Sequence, residues 1–122
     1  MKRILIIEDD LAYQKMLSTA LQQKGYEVLT AANGEKGLEK SDENPVDLVI
    51  VDIFMPVKEG FETIMELRQR SSDLKILAIS GGGQFNAMEM LPMAIDLGAD
   101  ETCEKPIHIS QLLEKVSQLM KN

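Results

Sequence analysis

Acidic residues directly follow two aliphatic runs in this sequence. The first run ends at the triplet Glu8-Asp9-Asp10, and the second ends at Asp52. Unbroken aliphatic runs of this length are typical of central strands that are buried on both faces of a parallel sheet. Carboxylates held within a few ångströms of one another repel, and a cation is the simplest remedy. The acidic residues therefore predict a cation site where the two strands end.

Two other polar residues follow later strand-like segments. Ser80 comes directly after the segment from Lys75 to Ile79, and Lys105 comes directly after the segment from Glu101 to Glu104. In an open doubly wound sheet, ligands bind beyond the carboxyl ends of the strands. We therefore expect Ser80 and Lys105 to share one cleft with the acidic residues.

The chemistry of this set of residues favours magnesium and phosphoryl transfer. Hard oxygen ligands suit Mg²⁺, and the single His and single Cys of the chain exclude a soft-metal site. A carboxylate beside such a metal can attack a phosphoryl donor and become an acyl phosphate, which makes Asp52 the candidate nucleophile. Mg²⁺, the Lys105 ammonium and the Ser80 hydroxyl would neutralise charge on the equatorial phosphoryl oxygens.

Each of these residues also has a purely structural interpretation. Asp10 is well placed to cap the first helix. Ser80 precedes three glycines and suits an ordinary turn, and Lys105 precedes a proline and suits a solvated surface position. Taken singly, the residues leave both interpretations open, and only their joint placement favours the functional one.

Short apolar runs alternate with amphipathic stretches, which predicts five strand–helix units on a parallel sheet. The second helix is predicted from Glu35 to about Ser41 after a turn at Asn33-Gly34. Pro92 lacks a backbone donor and is expected to open the fourth helix rather than lie within it. The predicted strands, in chain order, are Ile4 to Ile7, Glu27 to Ala31, Leu48 to Val51, Lys75 to Ile79 and Glu101 to Glu104.

The bulk composition limits the possible functions. The chain has 122 residues, enough for one domain, and we expect it to be a single domain spanning residues 1–122 with no output domain. Its net charge of -7 offers no electrostatic footprint for nucleic acid. The first apolar run is too short for a signal peptide or a membrane span, so we expect a cytoplasmic protein.

Over essentially its whole length, the chain resembles the response-regulator receiver family of two-component signalling. The resemblance implies a flavodoxin-like (βα)5 fold, which is a doubly wound parallel sheet with strand order 2-1-3-4-5. The motifs that carry it are Ile4-Leu5-Ile6-Ile7-Glu8-Asp9-Asp10, Asp52-Ile53-Phe54-Met55-Pro56, Gly60, Leu97-Gly98-Ala99-Asp100 and Glu104-Lys105-Pro106.

The resemblance also implies a role for each acidic residue. Asp52 would be the phosphoacceptor, with a sensor histidine kinase or a histidine phosphotransfer protein as the donor. Asp9 would bind Mg²⁺ directly, and Glu8 would act largely through water. Asp52 and the backbone carbonyl of Phe54 would complete the protein ligands.

The same resemblance assigns the signalling residues. Ser80 would be the switch hydroxyl, and the Lys105 side chain would pair with the phosphoryl group. The Lys105–Pro106 peptide bond is often cis in the family. Thr102 departs from the pattern, because many receivers carry a Tyr or Phe there. A phosphoryl relay, binding to a downstream target protein and a phosphate sink all remain open as outputs.

Two other classes of protein remain as alternatives. A pseudo-receiver would keep the fold and act only as a protein-binding module, but the chain retains the full set of acidic, hydroxyl and lysine residues. A haloacid-dehalogenase phosphatase also uses an aspartyl nucleophile after a strand, usually with a second Asp two residues later. That position is Phe54 here, which disfavours the phosphatase.

Overall fold

The computed structural model describes residues 2–53, 57–81 and 87–121, with the side chains of residues 57–59 and 87–89 excepted. Strands and helices alternate along the chain as predicted. In chain order they are β1 (Arg3–Ile7), α1 (Leu11–Gln23), β2 (Glu27–Ala31), α2 (Gly34–Glu43), β3 (Leu48–Asp52), α3 (Val57–Arg70), β4 (Lys75–Ser80), α4 (Ala87–Leu97), β5 (Glu101–Glu104) and α5 (Ile109–Leu119).

The strands form one parallel sheet in the order β2-β1-β3-β4-β5, which confirms the predicted order. The two solid aliphatic runs lie next to each other, with Ile4 of β1 paired to Leu48 of β3. Every residue of β3 is buried, because helices cover both faces of the sheet at this position. The carboxyl ends of β1 and β3 therefore lie side by side, which places their acidic residues together.

Alternate residues of each central strand pack into one of two cores on opposite faces of the sheet. Leu5 and Ile7 of β1 pack in the core that α3 and α4 cover, whereas Ile4 and Ile6 pack in the core that α1 and α5 cover. This two-residue alternation follows from the pleat of a strand. Cys103 of β5 is a buried member of the second core.

Helix α1 begins and ends at residues with the expected capping geometry. The Asp10 carboxylate accepts hydrogen bonds from the backbone N–H groups of Ala12 and Tyr13 at 2.9 and 3.3 Å. Gly25, just after the helix, has a φ of 93°, a conformation that favours glycine at a helix end. The structural interpretation of Asp10 as a helix cap is therefore confirmed.

The expected position of Pro92 was wrong. Helix α4 begins at Ala87, and Pro92 lies inside it rather than at its start. A proline there removes one backbone hydrogen bond, but Met90 and Ala94 on either side of it are buried in the core. Packing of this apolar face holds the helix together through the proline, because most helical stability in proteins comes from tertiary burial.

The predicted start of the second helix was also too late. Asn33 is the N-cap of α2 and not part of a separate turn, since its side-chain oxygen accepts a hydrogen bond from the Lys36 backbone N–H at 2.9 Å. Gly34 is therefore the first helical residue, and the helix continues to Glu43.

The described helices are all short. Helix α3 is the longest of them with 14 residues, whereas a membrane span needs roughly 20 predominantly apolar ones. No helix in the described part of the chain has the length and apolar character to cross a membrane.

Candidate functional site

The predicted site residues that the structure describes lie along one edge of the sheet, where four strands end. Asp52 and Ser80 are the last residues of β3 and β4, and Lys105 directly follows β5. Backbone hydrogen bonds continue the sheet past the strand ends, from Lys105 N to the Ser80 carbonyl at 2.8 Å and from Ile53 N to the Ile79 carbonyl at 2.9 Å. The hydrogen bonding of the sheet therefore extends to the residues that directly follow β3 and β5.

Lys105 bridges two buried carboxylates at the centre of this edge. Its ammonium lies 2.8 Å from Glu8 Oε1 and 3.1 Å from Asp52 Oδ2. The side chains of Glu8 and Asp52 are 0% and 2% exposed, and that of Lys105 is 13% exposed. Charges on buried side chains interact strongly, because solvent screens them little. The structure thus brings together three residues that are far apart in the sequence.

Three carboxylates at this edge are close enough to share one metal ion. One oxygen each from Glu8, Asp9 and Asp52 lies within 4.8 Å of the other two, and Asp9 is exposed to solvent. The second carboxylate oxygen of Glu8 is buried and has no hydrogen-bond partner among the described residues. An oxygen-only ligand set with an unpartnered buried oxygen fits Mg²⁺ well. Phe54, whose carbonyl was the fourth expected ligand, lies outside the described residues.

The electrostatics of the site indicate more negative charge than one lysine can balance. The pKa of Glu8 is raised to about 8: burial is the largest cause, the adjacent Asp52 carboxyl also raises it, and Lys105 lowers it. Burial lowers the pKa of Lys105, but its contacts with Glu8 and Asp52 outweigh this effect and leave the pKa raised. Lys105 therefore stays charged, and a second cation would allow both carboxylates to ionise.

Ser80 contributes a buried hydroxyl to this edge of the sheet. The residue is fully buried, and its Oγ has no hydrogen-bond partner among the described residues. A buried hydroxyl without a partner costs about 1–3 kcal/mol. Such a group is suited to a ligand that supplies the missing acceptor.

Thr102 occupies the position where the family pattern has an aromatic residue. Its backbone carbonyl accepts a hydrogen bond from Lys115 Nζ at 2.5 Å, and its N–H donates to Glu101 Oε1 at 3.0 Å. The Lys105–Pro106 peptide bond that follows the strand is cis, as the resemblance implied. The backbone around Thr102 is thus held by neighbouring polar side chains.

Sequence reasoning missed two neighbours of the site. The Tyr13 ring lies over the Lys105 ammonium, with 4.2 Å between Nζ and the ring centroid. The Gln14 side-chain amide donates to the backbone carbonyl of Glu8 at 3.0 Å. Spacing along the chain gives no signal for the contact of Tyr13 with a residue 92 positions away (105 − 13).

Comparison with known proteins connects this geometry to one family. The family model described as the response regulator receiver domain matches residues 4–117. The Transcriptional regulatory protein CpxR of Klebsiella pneumoniae is 31% identical over 121 residues, which cover 99% of this chain and 50% of that protein. The DNA-binding dual master transcriptional regulator RpaA of Synechocystis is 32% identical over 123 residues, with 99% and 50% coverage. The chain spans about half the length of the curated relatives it matches.

Solved structures give the same result. The response regulator protein TrrA of Thermotoga maritima, solved in complex with Mg(2+)-BeF, has a TM-score of 0.85 and 36% identity, covering 98% of this chain and 100% of that one. A CheY-like receiver domain protein from Methanospirillum hungatei has a TM-score of 0.88 and 31% identity, with 97% and 92% coverage. Together with the sheet order and the match over residues 4–117, these likenesses show that the chain belongs to the response regulator receiver domain family, the signalling modules of two-component systems.

Proposed function

We propose that Asp52 accepts a phosphoryl group from a phosphohistidine of a sensor histidine kinase or a histidine phosphotransfer protein. An Asp52 carboxylate oxygen forms a bond to phosphorus, the phosphorus–nitrogen bond breaks, and the imidazole leaves with the electron pair. The observation that carries this proposal is the buried bridge from the Lys105 ammonium to Asp52 and Glu8 at 3.1 and 2.8 Å. It supplies a nucleophile with fixed positive charge beside it.

Glu8, Asp9, Asp52 and the backbone carbonyl of Phe54 are the residues that would hold Mg²⁺. The cluster of three carboxylate oxygens within 4.8 Å supports this assignment, as does the unpartnered Glu8 oxygen. The bound ion would supply positive charge for the carboxylates and for the phosphoryl oxygens. The 36% identity to TrrA, whose structure is described as a complex with Mg(2+)-BeF, adds support.

We assign to Lys105 and Ser80 the role of contacting the phosphoryl oxygens. The ammonium is already 3.1 Å from Asp52 Oδ2, so a short movement would bring it against a phosphoryl group on that oxygen. The buried Ser80 hydroxyl gains an acceptor, which no described residue supplies. Both contacts favour the conformation in which the two side chains approach Asp52, so phosphorylation shifts an existing equilibrium towards that conformation. Water later attacks phosphorus and releases inorganic phosphate, which returns Asp52 to its carboxylate.

The receiver then acts through another protein in the cytoplasm. With a net charge of -7, the domain is poorly suited to contact nucleic acid directly, so the phosphorylated form passes its signal to a target protein or relays its phosphoryl group. We assign the 122 residues to one receiver domain, which the family match over residues 4–117 supports.

Intact-mass spectrometry after incubation with acetyl phosphate and Mg²⁺ tests the phosphoacceptor. The wild type should gain the mass of one phosphoryl group, and Asp52→Asn should gain none. Asp47→Asn is the matched control, because Asp47 directly precedes the strand that Asp52 ends, and an asparagine oxygen can still accept the hydrogen bond from the Arg3 N–H.

A phosphorylated histidine kinase serves as a second donor in the same assay. A wild type that stays unmodified with both donors would refute the proposal and favour a receiver fold that only binds proteins. Phosphorylation of Asp52→Asn to the wild-type extent would place the acceptor elsewhere.

A further inference from the structure

An aromatic ring covers the lysine at the centre of the site. The Tyr13 ring centroid is 4.2 Å from Lys105 Nζ, well within the distance at which a cation is attracted to a ring face. The ammonium has three N–H donors, and its hydrogen bonds to Glu8 and Asp52 take up two of them. The half-buried ring therefore lies against the ammonium of a lysine whose side chain is only 13% exposed.

The backbone around Tyr13 is tied directly to the carboxyl end of β1. The Tyr13 N–H lies in the first turn of α1 and donates to the Asp10 carboxylate at 3.3 Å. Gln14, the next residue, donates from its side-chain amide to the carbonyls of Glu8 and Ala31 at 3.0 and 3.4 Å. The backbone that carries the Tyr13 ring is thus hydrogen-bonded to the segment that carries Glu8. The fold therefore fixes the point from which the ring extends over Lys105.

We propose that Tyr13 is a positioning residue for phosphoryl transfer, holding the Lys105 ammonium beside Asp52 through a cation–π contact. The inference rests on the proposed role of Asp52. A lysine has a long flexible side chain, and a contact that restrains it before reaction reduces the ordering needed in the transition state. The ring makes no bond to the phosphoryl group and acts only through Lys105.

Graded substitution of the ring tests this role. Tyr13→Phe keeps the ring face and should retain phosphorylation by acetyl phosphate, whereas Tyr13→Leu should slow it by roughly 3- to 30-fold, the range expected for a partly desolvated cation–π contact. Phenylalanines with one, two and three ring fluorines at position 13 keep nearly the same shape while weakening the negative ring face. The logarithm of the rate should fall steadily along this series, which a residue that only fills space would not produce.

An NMR measurement tests the contact independently of phosphorylation. The ε-methylene protons of Lys105 should be shifted upfield by the ring in the wild type and in Tyr13→Phe, and this shift should disappear in Tyr13→Leu. A wild type with no upfield shift would overturn the inference even if Asp52 is phosphorylated normally.

The outcomes of the rate measurements separate this inference from the proposed function. Equal rates across the fluorinated series and Tyr13→Leu, with normal phosphorylation of the wild type, would overturn the role of Tyr13 alone. A wild type that is not phosphorylated by any donor would overturn the role of Asp52 and the role of Tyr13 with it. The nearly isosteric fluorinated variants keep the test decisive if Tyr13→Leu folds poorly.

Discussion

Lys105 offsets the electrostatic repulsion between the carboxylates of Glu8 and Asp52. Glu8 and Asp52 are both essentially buried, and each has an oxygen about one hydrogen-bond length from the same ammonium. Removing one partner of a buried ion pair costs more than the pair contributes, because an uncompensated charge remains in a poorly solvated place. At the scale of single residues, the lysine is therefore needed for the fold as well as for the proposed chemistry.

Replacing Lys105 by methionine should destabilise the protein strongly. We expect Lys105→Met to lower the free energy of unfolding by about 3–5 kcal/mol in the presence of a chelator at a pH above the Glu8 pKa of about 8, because two buried carboxylates then lose their counter-charge. Adding Glu8→Gln to this variant should recover part of the loss, since only one buried carboxylate then remains. Urea denaturation followed by circular dichroism measures both changes.

The control for this prediction is Arg70→Met. Arg70 is 43% exposed and pairs with Asp42, which is 59% exposed, so its replacement should cost about 1 kcal/mol or less. Equal losses in Lys105→Met and Arg70→Met would show that the buried bridge contributes no more than an exposed ion pair.

At the scale of elements, the site depends on how closely α3 approaches the end of β3. A Cβ atom at Gly60 would lie 2.7 Å from the Cα of Ile53, the residue directly after Asp52. Real Cβ atoms do not approach backbone this closely, so only glycine allows the helix to pack at this distance. The glycine is thus a packing requirement of the segment that carries the proposed phosphoacceptor.

Gly60→Ala should therefore destabilise the fold, although alanine is the better helix former. We expect a loss of about 1–3 kcal/mol in the free energy of unfolding, because α3 must move away from Ile53. Phosphorylation of Asp52 by acetyl phosphate should slow as well, since the displaced backbone adjoins it. Gln69→Ala is the control, because Gln69 lies on the exposed face of the same helix. A Gly60→Ala protein as stable and as reactive as Gln69→Ala would contradict this account.

The elements differ in how well the sequence predicts them. β1 and β3 were predictable because a strand buried on both faces needs an unbroken aliphatic run, which few other structures require. α4 was not, because the local cost of Pro92 is smaller than the stabilisation from burying Met90 and Ala94, and the latter depends on the rest of the fold. Sequence rules for proline describe its effect on the local backbone, and they give the wrong helix boundary where burial of neighbouring side chains outweighs that effect.

The site shows the same division. The edge shared by Glu8, Asp52 and Lys105 follows from the topology of a parallel sheet, so residues at strand ends could be identified in advance. The contact between Tyr13 and Lys105 depends on the angle at which α1 leaves β1, which no pattern of residues encodes. The raised pKa of Glu8 likewise depends on burial that appears only in the folded chain.

At the scale of the whole molecule, negative charge acts in two ways, as a net charge on the domain and as a cluster of carboxylates at one site. The net charge of -7 favours unfolding through self-repulsion, which any salt weakens by screening. The cluster of Glu8, Asp9 and Asp52 is different, because a cation bound there contacts the carboxylates directly. The two effects predict different responses to magnesium and to sodium.

Magnesium should therefore stabilise the protein beyond the effect of ionic strength. At a concentration 100 times the dissociation constant, binding to the folded state alone contributes about 2.7 kcal/mol, and the melting temperature should continue to rise with the logarithm of the magnesium concentration. Asp9→Asn should remove this increase, whereas Glu39→Gln, which makes the same charge change on the exposed surface of α2, should keep it. Thermal unfolding with MgCl₂, compared with NaCl of equal ionic strength, measures the difference. Identical curves in the two salts would mean that magnesium only screens the surface, and the carboxylate cluster would then not be a metal site.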